Sequence, residues 1–373
     1  MDTYLPLLRS SDETAEPTGL EDTVEGADPE ARVNKGRWLF DQLLAPAADR
    51  LAASRRILVL PDGPLYYLPF TALMRPAPED PRGWQYLVEW KPVHTAQSAT
   101  VYAEMQKRRP AADRDDRPPT TLVALGNPSY PPPRESEEKP AKDDAAAATD
   151  PRMPLAVRSA ENRGVFDGLT PLPHAAREVT EIGGLFPEGF ARTYLGADAT
   201  EERAKTDLAE ARYVHFAAHG LADPEAPLDS FLALTIPEGL PEDRENGILQ
   251  AWEIRDQLSL NADLVVLSAC VTAFGPNRGG EGLLSLSRAF QIAGARTVAA
   301  SLWPVADEST AELMIRLYRH LLEGEPKDEA LRAAQMELIH NPIEVVGEDG
   351  ERVKRDFSAP YHWAAFQLIG DWR

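Results

Sequence analysis

From residue 175 onward, apolar runs alternate with amphipathic stretches, and this alternation leaves few folds open. The runs at 213–218, 264–269, 297–302 and 364–369 are almost uninterrupted by polar residues and read as strands buried on both faces, with a shorter strand at 192–195. Between them, 175–186, 200–211, 251–258, 281–293, 307–323 and 327–340 carry apolar residues at helical spacing. Thr200 opens one of these helices as an imperfect capping box, since the acid follows at Glu201 and position 203 is Arg. Continuous apolar strands separated by helices build a mostly parallel sheet covered on both faces, an α/β fold. No period of about 20–50 residues recurs, which excludes a solenoid or propeller.

The first part is less regular. Residues 1–35 are rich in Asp, Glu, Thr and Gly without strand or helix period, and read as a mobile acidic tail. From Gly36 a helix, a buried strand at 56–60, one or two strands within 84–94, a helix begun by Ser98 and a strand at 121–126 follow. Residues 131–170 then form an exposed, disordered insertion: Pro, Glu, Lys, Asp and Ala dominate its first half and cannot supply a core. Its Arg152, Arg158 and Arg163 make it a candidate for self-cleavage, with the bond after Arg158 facing the small Ser159. The expected domains are therefore 36–130 and 171–373, joined by that insertion.

The formal charge of -21 disfavours binding to nucleic acid or an anionic membrane; it would attract basic segments of another protein, the plain alternative being solubility alone. No apolar run approaches the roughly 18 residues of a membrane span, and the acidic N-terminal stretch is no secretory signal. With one cysteine there is no internal disulfide, and a cytoplasmic setting is expected.

In parallel sheets, reacting groups collect past the carboxyl ends of the strands. VHFAAHG (214–220) ends its strand in His219-Gly220, and LVVLSAC (264–270) ends in Cys270, 51 residues further on. Strands so spaced can lie side by side and bring an imidazole next to a thiol, the requirement for acyl transfer through a thioester. Gly220 lets the chain turn with its N–H toward the site. With the Cys270 N–H it would form an oxyanion hole, each donor being worth about 2.7–4 kcal/mol in acyl-transfer enzymes. The plain alternatives are a buried inert cysteine and a structural histidine. His215, four residues before His219, has no further ligands clustered near it and reads as packed in the sheet. Gly279-Gly280-Glu281-Gly282 lacks the Lys-Ser/Thr of a phosphate loop and reads as a flexible loop near the cysteine.

VHFAAHG, LVVLSACVTAFG, GGEGLLSLSRAFQIAGARTVAASLWPVADEST and YHWAAFQLIGD resemble successive blocks of the CHAT domain, a family of caspase-like cysteine peptidases related to separase. RILVLPDGPLYYLPFTAL resembles the family's N-terminal half, and the likeness runs from about Gly36 to Arg373. The resemblance implies a caspase-like fold with an inactive N-terminal pseudo-caspase half and an active C-terminal half. It implies His219 and Cys270 as the catalytic dyad, with Val271 where many relatives have Glu. It also implies that Asp307, after SLWPVA, holds a basic side chain, so that cleavage follows Arg or Lys. The plain alternative is that Asp307 N-caps the helix that follows it. Members are often joined to tetratricopeptide helices that sense a partner; none is evident in this chain, and a separate regulatory protein is expected. The chemistry calls for no metal and no cofactor. The rival reading is a non-catalytic CHAT-fold scaffold or interaction module.

Overall fold

A computed structural model describes residues 29–107, 121–130, 169–222, 226–236, 246–268, 271–273, 281–346 and 352–373. In chain order the strands are β1 (Ile57–Val59), β2 (Met74–Pro76), β3 (Trp84–Tyr86), β4 (Val93–Thr95), β5 (Leu122–Pro128) and β6 (Ala191–Gly196). There follow β7 (Tyr213–Ala217), β8 (Gly220–Ala222), β9 (Phe231–Ala233), β10 (Ile248–Gln250) and β11 (Leu264–Leu267). The last are β12 (Val271–Ala273), β13 (Thr297–Ser301), β14 (Ile343–Val346), β15 (Arg352–Arg355) and β16 (Phe366–Gly370).

Eight of them form one sheet in the order β1-β4-β16-β13-β11-β7-β5-β6. Every neighbouring pair is parallel except β13 with β16. The mostly parallel α/β sheet expected from the sequence is therefore present, with one reversed pairing. A second sheet, β10-β9-β8-β12, continues from the ends of β7 and β11. Its strands are only three residues long, and none was expected.

Alternation along the strands explains why both faces are covered. Ala124, Val266, Ala299 and Leu368 face one side, packing with the helices Pro173–Gly184, Asp307–Leu322 and Lys327–His340. Val123, Leu125, Val214, Val265 and Val298 face the other, against the helices Glu201–Asp207, Ala251–Gln257 and Glu281–Ala293. Gly126 allows the helix Pro173–Gly184 to sit close on β5, since a Cβ there would lie 2.5 Å from Val179 Cγ2.

The expected boundary at 130 does not appear as two sheets. β5, from the first part of the chain, lies between β6 and β7 of the second, and one core cluster runs from Leu39 to Leu368. The first described helix begins at Pro29, inside the expected tail. Residues 1–28, and most of the expected insertion with Arg152, Arg158 and Arg163, lie outside the described residues, as do Gly279 and Gly280. No described helix is long and apolar enough to cross a membrane.

Candidate active site

The two sheets meet at residue 219. β7 ends at Ala217 and β8 begins at Gly220, so Ala218 and His219 form the crease between them. Cys270 lies outside the described residues, but strands on either side of it are described. In the main sheet Leu267 stands opposite Phe216, and in the small sheet Val271 stands opposite Gly220. Both pairings carry the same offset of 51 residues (267 against 216, 271 against 220). The parallel register passes from one ladder to the next without a slip.

His219 is half-buried, and three separate segments hold it. Its Nε2 lies 2.8 Å from the Thr170 carbonyl oxygen. A carbonyl can only accept, so Nε2 carries the proton and the neutral ring keeps its lone pair on Nδ1. Burial pushes the imidazole pKa below its ordinary value, and the Thr170 carbonyl opposes that shift. Both features suit a base that is neutral near pH 7. Tyr130 packs its ring against the imidazole, centroids 5.4 Å apart, and its hydroxyl accepts the His219 backbone N–H at 3.3 Å. The His219 carbonyl accepts the Ala233 N–H of β9 at 2.8 Å.

That last bond fixes the direction of Gly220. In the β8–β9 ladder, His219 and Ala233 are a hydrogen-bonded pair, so Gly220 opposite Leu232 belongs to the intervening, non-bonded pair. Its N–H points away from β9, to the side on which β12 runs.

The segment that supplies Thr170 is itself anchored. Asn127, in the left-handed region at φ 44°, accepts the Leu172 N–H on Oδ1 at 2.8 Å. At the next residue the helix Pro173–Gly184 begins, and Asp307 Oδ2 accepts the His174 N–H at 2.9 Å. Asp307 therefore caps the first turn of a helix other than its own. The N-cap of its own helix is Ala306, so the plain alternative of Asp307 as that helix's N-cap does not hold. Burial pushes the Asp307 carboxyl pKa up, with the His174 N–H opposing.

His215 lies in the sheet, as expected, but it is not merely packed. Its Nε2 is 2.7 Å from Glu178 Oε1 of the helix Pro173–Gly184, and the two residues are 0% and 1% exposed. Tyr318 stands edge-on to the same imidazole at 5.5 Å. The pair fastens to β7 the helix that follows Thr170.

Sequence reasoning missed Tyr130, Asn127 and Thr170. Thr170 acts through a backbone carbonyl, which no side-chain pattern can reveal. Tyr130 gave one faint signal, as an aromatic residue beside a Pro-rich stretch. Leu169 and Tyr130 pack on the same small apolar cluster and Thr170 bonds His219, so the last two residues of the expected insertion are held against the site. One group among the described residues could hold a metal ion, His320 with Glu323 and Glu325. It lies at the far end of the helix from Asp307, and its His320 is already matched by Glu325 and Glu337 at 3.3 and 2.9 Å.

A CHAT domain family model matches residues 33–371. Tetratricopeptide repeat protein 28 of Homo sapiens is 28% identical over 372 residues, covering 90% of this chain and 13% of the relative. Its Mus musculus counterpart is 28% identical over 374 residues, with the same coverage. The chain thus spans 13% of the length of these relatives. Among solved structures, Saccharomyces cerevisiae separase, crystallised with securin, aligns over 84% of this chain and 15% of its own, at 11% identity and a TM-score of 0.43. The Arg-specific cysteine proteinase gingipain R aligns over 94% of this chain and 69% of its own, at 11% identity and a TM-score of 0.40.

Proposed function

The chain belongs to the CHAT domain family, and we propose that it is a cysteine endopeptidase with Cys270 as nucleophile and His219 as acid–base. The observation that supports this most is the shared 51-residue offset of the ladders flanking positions 219 and 270. In this mechanism His219 Nδ1 takes the Cys270 thiol proton, and the thiolate attacks the scissile carbonyl carbon. The N–H groups of Gly220 and Cys270 hold the oxyanion. The C–N bond breaks as His219 returns the proton to the leaving amine. Water, deprotonated by the same imidazole, then cleaves the thioester and regenerates the thiol.

Asp307 is proposed to select a basic residue before the cut bond, Arg above Lys, because a half-buried carboxylate discriminates for a long cation. The His174 N–H that it accepts fixes its orientation. The substrate is then a protein with a basic cleavage site, and control rests with a separate regulatory protein.

The test is mass spectrometry of a peptide library incubated with wild type and with Cys270→Ala. Cleavage after Arg or Lys by the wild type alone is the expected result. Cleavage persisting in Cys270→Ala would sink the mechanism, and no cleavage by either, with no labelling of Cys270 by an Arg-chloromethylketone, would leave a non-catalytic scaffold.

A further inference from the structure

The antiparallel ladder between β8 and β9 stops at Gly220, one pair short of a complete pairing at His219. Gly220 pairs with Leu232 and Leu221 with Phe231, so the next pair in register is His219 with Ala233. A hydrogen-bonded antiparallel pair exchanges two N–H···O bonds. One is present, from the Ala233 N–H to the His219 carbonyl at 2.8 Å. In place of the other stands the Tyr130 hydroxyl. It accepts the His219 N–H at 3.3 Å and donates to the Ala233 carbonyl at 3.2 Å.

We propose that Tyr130 is a positioning residue for His219, its phenol acting as a wedge that splits the ladder at the catalytic histidine. Inserting a hydroxyl between N–H and carbonyl holds the His219 backbone away from Ala233 on one side while the direct bond holds it on the other. The strand is splayed at 219, where β7 gives way to β8. The Tyr130 ring, against the imidazole at 5.4 Å, limits the side chain's rotation. Thr170 then meets Nε2 from beyond. Leu169 and Tyr130 both pack against the small cluster of Leu221, Phe231, Ala233 and Ile248, which ties the wedge to β9.

Removing the hydroxyl has a defined consequence. In Tyr130→Phe the His219 N–H can close directly onto the Ala233 carbonyl as a regular ladder bond, and His219 moves with it. A displacement of about 1 Å at a catalytic group costs on the order of a hundredfold in rate, so even partial closure is measurable.

This inference rests on the reading of His219 as the acid–base, and the experiment separates the two. Cys270 is the only cysteine of the chain, so its alkylation by iodoacetamide reports one site. The rate is followed against pH in the full chain for wild type, Tyr130→Phe, Tyr130→Ala and His219→Ala. Tyr194→Phe, which removes a hydroxyl bonded to Asp207 on the edge strand β6, serves as the control. A thiol paired with an imidazole titrates below the roughly 8.5 of an unassisted cysteine. The expected result is that Tyr130→Phe moves the titration toward that value and slows alkylation at neutral pH about tenfold, as a displacement short of 1 Å should. Tyr130→Ala should approach His219→Ala, and Tyr194→Phe should match wild type. Should the Tyr130 variants lower only the melting midpoint while their titrations overlie wild type, and His219→Ala still shifts, Tyr130 is structural and the proposal is overturned alone. A His219→Ala titration that overlies wild type overturns the dyad reading, and this inference with it.

Discussion

The His215–Glu178 pair should be among the costliest places to damage this protein. Glu178 is the only bonded partner of the His215 ring among the described residues, for Nδ1 has none. In Glu178→Ala the imidazole stays buried with neither nitrogen bonded, next to a small void. Breaking a fully buried pair by removing one partner costs about 3–5 kcal/mol. At roughly 2 °C per kcal/mol for a chain of this size, the melting midpoint should fall by about 6–10 °C. Glu178→Gln keeps the volume and an acceptor for an Nε2 proton, so its cost should fall to about 1–3 kcal/mol. Calorimetry at neutral pH on the three proteins gives the order wild type, Gln, Ala. The helix carrying Glu178 begins three residues after Thr170, so peptide hydrolysis should fall further than the folded fraction accounts for. A Glu178→Ala midpoint within about 2 °C of wild type, or a Gln variant as damaged as Ala, would refute the reasoning.

Asp307→Asn keeps an acceptor for the His174 N–H while removing the charge, so stability should hold within about 1 kcal/mol. The preference of fluorogenic substrates for Arg over an uncharged residue should collapse; an unchanged profile would leave Asp307 as a helix cap alone. A second buried site should contribute to the pH dependence of stability. Burial raises Asp328 from 3.8 to about 6, opposed by Arg56, whose guanidinium lies 2.8 Å away. The folded chain binds that proton more tightly, so its stabilisation is complete at low pH and is lost as pH rises through about 6. Burial lowers His94, 3.7 Å from Asp328, from 6.5 to about 4, with Arg56 adding to the shift. Its contribution has the opposite sign: it is present above 6.5 and lost as pH falls through about 4. The two slopes offset each other in the wild type. Asp328→Asn should expose the His94 slope, with a melting midpoint that rises between about pH 4 and 6.5, and a flat or falling midpoint there would be the contrary result.

The sequence made the main sheet readable because its strands are buried on both faces and interrupted by long helices. The helix Lys327–His340 has the bounds that its pattern predicts. The same apolar runs carry no sign of direction, which is why the reversal of β16 against β13 was not legible. Nor does a run state its neighbours: β5 lies between β6 and β7 through pairings that span 68 to 91 residues of chain. The small sheet was missed because three-residue strands are too short to show a period.

The site divides along the same line. The place of His219 just past a strand end was readable, since it is a local property of VHFAAHG. What holds it was not readable, since each holding contact joins residues far apart in sequence. Thr170 reaches His219 across 49 positions, Tyr130 across 89, and Asp307 reaches His174 across 133. Those contacts are not independent. Asn127 fixes Leu172, Asp307 fixes the first helical turn at His174, and Glu178 fixes the next turn to β7 through His215. Each bond limits where the Thr170 carbonyl can lie, and that carbonyl decides which imidazole nitrogen keeps the proton. The geometry of one histidine is thus set by a helix whose own position depends on two acids, the half-buried Asp307 and the buried Glu178. Of the two, Glu178 is the one whose loss should cost the fold most, since its partner His215 is wholly buried.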